Sequence, residues 1–317
     1  MTALQILKTS AAPFTLWIGV AAVIAGCAAA VAHGNFMFLP AVMCMVFCVF
    51  AQLFSNFTHR YFDYKHDYGE NRRDGILKCD DLDRPVSFVL KEAMKVTGVI
   101  AAMAGLWLLA FAGWWPMIIA VIIALCVVIS NLGPYPLSQS PFYPIMTFIL
   151  FGPVAVAGTC LLQSEHSAAH VISWWDLEPG LVIGTMIGFM AMKSHLIYGA
   201  FHVLTGQHSS RTKFFGRYAK HAYITLIVCF TIAYVVVGVF TPMLLNIDNK
   251  PWLFIAIPVV SGIVSLATLG YTLKTNTVHR AWHISIYNIL VVAILSFVVL
   301  SIIGYPAGYL DSAPAIL

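Results

Sequence analysis

The sequence predicts an all-α integral membrane protein with nine spanning helices, on three observations. Hydrophobic residues make up 60% of the chain, charged residues 9%, and the mean hydropathy is +0.87, a composition whose solvent is lipid rather than water. A helix needs roughly 20 apolar residues to cross about 30 Å of hydrocarbon, and stretches of that kind recur along the whole chain. Lys and Arg concentrate in alternate connections between them, the asymmetry that sets orientation in a membrane.

Two spans open the chain, near 11–33 and 35–57. The first runs into the second without a small-residue cleavage site, so it reads as a retained helix and not as a signal peptide. A polar loop follows at 58–92, the one long polar insert. Spans near 93–113 and 115–133 come next, and Gly133-Pro134-Tyr135-Pro136 marks the turn into a fifth, near 143–162. Ser173-Trp174-Trp175-Asp176 reads as an interfacial edge, with Trp at headgroup depth, before a sixth span near 179–204. Ser209-Ser210 marks the connection to the last three, near 219–241, 252–273 and 281–304. Short turns suit antiparallel neighbours in a bundle, and no linker divides residues 1–317, so one membrane domain is expected.

Nine spans put the termini on opposite sides. With the N-terminus cytoplasmic and the C-terminus outside, the inner loops hold the Lys and Arg residues from Arg60 to Lys91, then Arg211, Lys213, Arg217, Lys220, Lys274 and Arg280; the outer loops hold only Lys250. The net charge of +4 is then topological and calls for no nucleic-acid partner. Of the seven cysteines, all but Cys79 lie within predicted spans, which argues against a disulfide framework; Cys44 and Cys48 share a helix face and read as packing.

Chemistry is to be sought where the acids are. Asp63, Asp67, Glu70, Asp74, Asp80, Asp81 and Asp83 crowd into one stretch, whereas no Asp or Glu occurs between Glu178 and Asp248. At the end of the second span, Asn56, His59 or Arg60, Asp63 and Asp67 recur at helical spacing and can share one face. Two carboxylates one turn apart, backed by an amide, form the oxygen-rich set that Mg²⁺ accepts when phosphates complete its shell. The same residues also fit a solvated helix end whose acids pair with neighbouring cations.

This segment resembles the first aspartate-rich motif of the UbiA superfamily of intramembrane prenyltransferases, with His59, Arg60, Asp63 and Asp67 at the motif positions. Gln52-Leu53-Phe54-Ser55-Asn56, Asp83-Arg84-Pro85, Gly133-Pro134-Tyr135-Pro136 and above all Phe151-Gly152-Pro153-Val154-Ala155-Val156-Ala157-Gly158-Thr159 are similar to the menaquinone branch, which prenylates 1,4-dihydroxy-2-naphthoate. The resemblance implies a nine-helix UbiA-type bundle in a plasma membrane, the inner membrane of a bacterium. It also implies a polyprenyl diphosphate donor held through Mg²⁺, ionisation of its C1–O bond, and attack of an aromatic acceptor on the allylic cation. Asp63 and Asp67 are the catalytic and metal-binding residues so implied.

Two departures change the expected site. The Asn-Asp pair that opens the first motif is His59-Arg60 here, a permanent cation where a carboxylate stands in the family. The second aspartate motif falls on Ile197–Thr212 and keeps Thr212 alone. Cations stand in that region: Lys193, His195, His202, His208, Arg211 and Lys213. They can grip a diphosphate directly, Asn56, Arg60, Arg84, Lys193 and Arg211 being the residues expected to contact it. Alternatively His195 and His202, two turns apart, belong to a metal or haem site, for which spacing places no third ligand, or are hydrogen-bonded bundle residues. Lys193 lies inside a span, where a lysine should face a cavity or a partner. Two functions therefore stand: an active, divergent prenyltransferase, or a non-catalytic descendant that binds an isoprenoid or quinone lipid or acts as a membrane partner.

Overall fold

Helices and no strand make up the described residues of the computed structural model, which are 2–67, 79, 84–131, 142–163, 174–204, 219–247, 249–275 and 277–303. The side chains at 63, 65–67, 127–128, 130–131, 175, 199–204, 219–220 and 278 lie outside the description. A short α1 (Ala3–Ser10) is followed by α2 (Pro13–Ala32), α3 (Phe38–Asp67), α4 (Val86–Ala112), α5 (Trp115–Asn131) and α6 (Tyr143–Leu161). The chain continues through α7 (Trp174–Leu204), α8 (Ala219–Leu244), α9 (Pro251–Thr275) and α10 (Val278–Ile303). Eight of these are long and apolar enough to cross a membrane, and the chain is an integral membrane protein. The ninth candidate, α5, has 17 residues, or about 25 Å at 1.5 Å per residue, slightly less than the hydrocarbon thickness.

Several boundaries move relative to the hydropathy reading. The helix expected to end at 57 runs on to Asp67, and α4 starts at Val86, not 93. A helix satisfies its own backbone hydrogen bonds and so can continue out of the lipid over polar residues, a signal that hydropathy does not contain. Trp174–Asp176, expected as a loop edge, is the first turn of α7, with Pro179 inside the helix one turn further on. The proline omits one hydrogen bond near the end of a 31-residue helix, which the rest of the helix tolerates.

Chain order becomes spatial order. Helix α2 packs on α3, α3 on α4 and α4 on α5; α6 packs on α7, α7 on α8, α8 on α9 and α9 on α10, which returns to α2. Inside this ring α2 also meets α6 and α7. Small residues let them approach, because helices in lipid gain from close van der Waals packing and not from apolar burial as such. Ala21, Ala22, Ala25, Ala28 and Ala29 of α2 are fully buried. Gly180, Gly184 and Gly188 form a four-residue stripe on α7 that runs against α6.

The segment of α6 that meets this stripe is π-helical, Leu150–Ala157, with Pro153 inside it. Proline lacks an N–H and its ring crowds the preceding turn; one wider turn relieves both. The run Phe151–Thr159, singled out by its sequence, is this widened turn and its continuation. At the far end of α6 the fully buried Gln163 donates from Nε2 to the Thr159 carbonyl at 3.1 Å and to Cys27 Sγ at 3.4 Å, while its Oε1 accepts from the Met37 N–H at 3.3 Å. Gln163→Leu leaves Met37 N–H unmatched and is expected to lower stability by about 1–3 kcal/mol, read as a lower thermal midpoint in detergent. All seven cysteines are free thiols.

Candidate functional site

A cavity of about 1550 Å³ occupies the interior between α2–α5 on one side and α6, α7 and α10 on the other. Its deep walls are apolar, with Phe47, Leu108, Met117, Ile123, Phe151 and Val154 among them. Its mouth is built where α3 and α7 end and where α2, α6 and α10 begin, so residues remote in sequence converge there.

The mouth is organised by an elbow. Thr2 caps α1 through a reciprocal pair: the Gln5 N–H donates to Thr2 Oγ1 at 3.3 Å and the Thr2 N–H donates to Gln5 Oε1 at 3.0 Å. The chain then turns at Ala12, in the left-handed region with φ of 45°, a conformation uncommon for a residue with a Cβ. Two amides of α3 hold that turn. Asn56 Nδ2 donates to the Ala11 carbonyl at 2.9 Å and to Thr15 Oγ1 at 3.1 Å, and Gln52 Nε2 donates to the Thr15 carbonyl at 2.6 Å. Both amides line the cavity, as do Ser55, His59 and Arg60. The elbow thereby brings Lys8 of α1 to the same cavity, a residue that no spacing argument connects to Arg60.

Opposite them, aromatic and imidazole rings close the rim. Tyr143 at the start of α6 meets the His195 ring edge-on at 4.7 Å, and Tyr198 lies 5.0 Å from Trp282 at the start of α10. Phe14 packs 4.0 Å from the His283 ring, and His279 lies 5.9 Å from Trp282. The charged residues among the described lining are Lys8 and Arg60, joined by His59, His195 and His279; no carboxylate is among them. Low-dielectric walls with one sign of charge at the rim focus a field that attracts anions.

Of the residues expected from the sequence, Asn56 and Arg60 line this cavity together. Positions 63 and 67 continue the stripe of 56 and 60 along α3, which is helical through Asp67, but the side chains of Asp63 and Asp67 lie outside the description, as does all of Arg211. Arg84 is not in the lining; it is exposed, its guanidinium 5.2 Å from the centre of the Phe88 ring.

Lys193 is not in the lining either. It stands two residues before His195, hence about 200° around α7 from it, and the His195 face is the one turned to the cavity. Lys193 is instead buried on the α8–α9–α10 side, where its Nζ donates to Ser265 Oγ at 2.7 Å. Lys193, expected to contact the diphosphate, and His195 therefore serve opposite faces of α7. Among the described residues no group of three or more His, Cys, Asp or Glu could hold a metal ion; His202, the expected partner of His195, has its side chain outside the description.

No family model matches the chain, and none of the curated proteins matches it. Among solved structures, one described as giving structural and mechanistic insights into digeranylgeranylglyceryl phosphate synthase in membranes superposes with a TM-score of 0.58 at 16% identity, covering 93% of this chain and 98% of that one. The likeness covers nearly the whole of both chains, so the two share one helical-bundle fold.

Proposed function

We propose that this chain takes a polyprenyl diphosphate into its large cavity and transfers the prenyl group to an acceptor. The observation that carries the reading is the cavity itself: about 1550 Å³, apolar in depth and cationic at the mouth, in a bundle shared with a solved structure of a prenyl-lipid synthase. An isoprenoid diphosphate has the same division, a long apolar tail and a compact multiply charged head. Lys8 and Arg60 receive the diphosphate, with the imidazoles of His59, His195 and His279 around it as further hydrogen-bond partners. Phe47 and Phe151 line the path of the tail and exclude water from the reacting carbon. Breaking the C1–O bond leaves the electron pair on the diphosphate, where cations stabilise it; the allylic carbon then bonds to the acceptor, which loses a proton. The resemblance of the Phe151–Thr159 run favours an aromatic acceptor such as 1,4-dihydroxy-2-naphthoate.

Asp63 and Asp67, one turn apart on the stripe of Arg60, are the residues that would hold Mg²⁺, and the ion would supply positive charge to the leaving diphosphate. The described cavity lining offers basic residues and rings and no carboxylate, so we assign one metal site, with basic residues taking the place of the second. We place the mouth on the cytoplasmic side of the plasma membrane, since the connections at that end carry the Lys and Arg residues. The same lack of a carboxylate in the described lining favours a second reading, a non-catalytic protein that holds an isoprenoid or quinone lipid.

Purified protein in lipid separates the two. With a polyprenyl diphosphate, Mg²⁺ and dihydroxynaphthoate, prenyl transfer is expected, and Asp63→Asn and Asp67→Asn are each expected to lower kcat at least about 100-fold, the scale of losing one charge-stabilising group. Binding that ignores Mg²⁺ and both substitutions, without diphosphate release for any acceptor, establishes the second reading.

A further inference from the structure

Lys193 stands in a second, separate cavity. Its side chain is 1% exposed, in a helix that crosses the membrane, five residues before the spanning segment ends at Tyr198. One N–H of its ammonium goes to Ser265 Oγ at 2.7 Å, and the group lies 4.9 Å from the centre of the Tyr234 ring, on whose π-face a cation is favoured. The polar groups around it are neutral and largely occupied with one another. Asn288 Nδ2 donates to Ser265 Oγ at 3.0 Å and to the Ser261 carbonyl at 3.2 Å; the Tyr234 and Ser261 hydroxyls bond at 2.9 Å. Thr268 and Thr272 bond back to carbonyls of their own helix. No carboxylate among the described residues pairs with Lys193.

Burying an ammonium in hydrocarbon costs several kcal/mol, even when hydroxyls solvate it in part. A counter-charge removes most of that cost, and there is room for one. A cavity of about 40 Å³ lies against Lys193, Ser265 and Asn288, its remaining walls largely apolar; a water needs about 10–15 Å³, so by size the space takes a small anion or the end of a carboxylate, and no diphosphate. Leu273 of α9 and Ile284 of α10 line it and are 38% and 42% exposed, so the cavity lies next to the surface that faces lipid.

We propose that Lys193 and Ser265, the latter held by Asn288, form a binding site for one singly charged anionic group, on the opposite face of α7 from the large cavity. A free small anion such as chloride, or a fatty-acid carboxylate whose tail passes between α9 and α10, presents the same chemistry to Lys193.

Thermal unfolding of the purified full chain, in sodium chloride against sodium gluconate at equal ionic strength, and with or without oleate, tests the site. Saturation at ten times Kd is expected to raise Tm by about 2 °C. A response to chloride and bromide assigns a free anion; a response to oleate alone assigns the lipid carboxylate. Lys193→Met is expected to abolish the response while matching or exceeding the wild-type Tm in gluconate, since an apolar residue of similar size needs no counter-charge. Ser265→Ala keeps the ammonium and is expected to raise the half-saturating concentration about tenfold, so the site remains testable should Lys193→Met not fold. A wild-type Tm indifferent to chloride, bromide and oleate overturns the proposal, as does an undiminished response in the variants.

Discussion

Gly184→Leu is expected to prevent assembly of a stable bundle. A Cβ at 184 would stand 2.9 Å from the Gly152 carbonyl oxygen, 3.0 Å from its carbon and 3.3 Å from the Pro153 Cα. All three are backbone atoms of α6, so no side-chain rotation relieves the clash. The approach is reciprocal, since a Cβ at Gly152 would meet the Gly184 oxygen at 2.5 Å. Even one methyl group must push two helices apart, and overpacking of ordinary cores already costs about 1–3 kcal/mol; leucine at a backbone-to-backbone crossing should exceed that. The measurement is the yield of monodisperse protein by size exclusion, with the Tm of whatever survives. Gly270→Ala is the control: nothing lies within 4 Å of its Cβ position, and alanine in a helix is favoured over glycine by about 1 kcal/mol. A Gly184→Leu protein with wild-type yield and Tm would show that α6 and α7 do not cross here.

Arg60→Glu is expected to lower kcat/KM for a polyprenyl diphosphate at least about 100-fold, or about 2.7 kcal/mol of transition-state stabilisation. Arg60 lines the mouth and is exposed, so the substitution reverses a charge facing the substrate without opening a hole in the bundle, and Tm should stay within about 1 °C. Arg60→Lys keeps the charge but loses the planar fork that bonds two phosphate oxygens together, and an intermediate loss of about tenfold is expected. Equilibrium binding of the diphosphate reads the same ordering should the protein hold its lipid without turnover. An Arg60→Glu protein that binds and turns over like wild type would remove the cationic mouth from the mechanism.

The membrane class, the spans and the helical stripe of Asn56, Arg60, Asp63 and Asp67 were legible in the sequence because each depends on local periodicity and composition. The run Phe151–Thr159 was legible as a signal but not as a shape. That this widened, proline-containing turn lies against the glycine stripe of α7 is a fact of the assembled bundle. Helix ends at Asp67 and Val86 were missed because hydropathy stops where lipid stops, while hydrogen bonding within a helix does not.

The sequence by itself determined that this is a membrane-embedded helical bundle, with its polar residues gathered at helix ends and no Asp or Glu between Glu178 and Asp248. Composition and spacing along one helix suffice for that, since hydrophobic transfer and the 3.6-residue turn act locally. Only the tertiary structure decided which basic residues line one cavity. Arg60 gains Lys8 through the Asn56-held elbow and faces His195, Tyr198 and Trp282 across the mouth, whereas Lys193, two residues from His195, is turned into a different cavity. The physical reason is rotational: spacing settles the angle between two side chains on one helix, but the angle each presents to its neighbours is set by packing of small residues between helices, and that is a property of the assembled bundle.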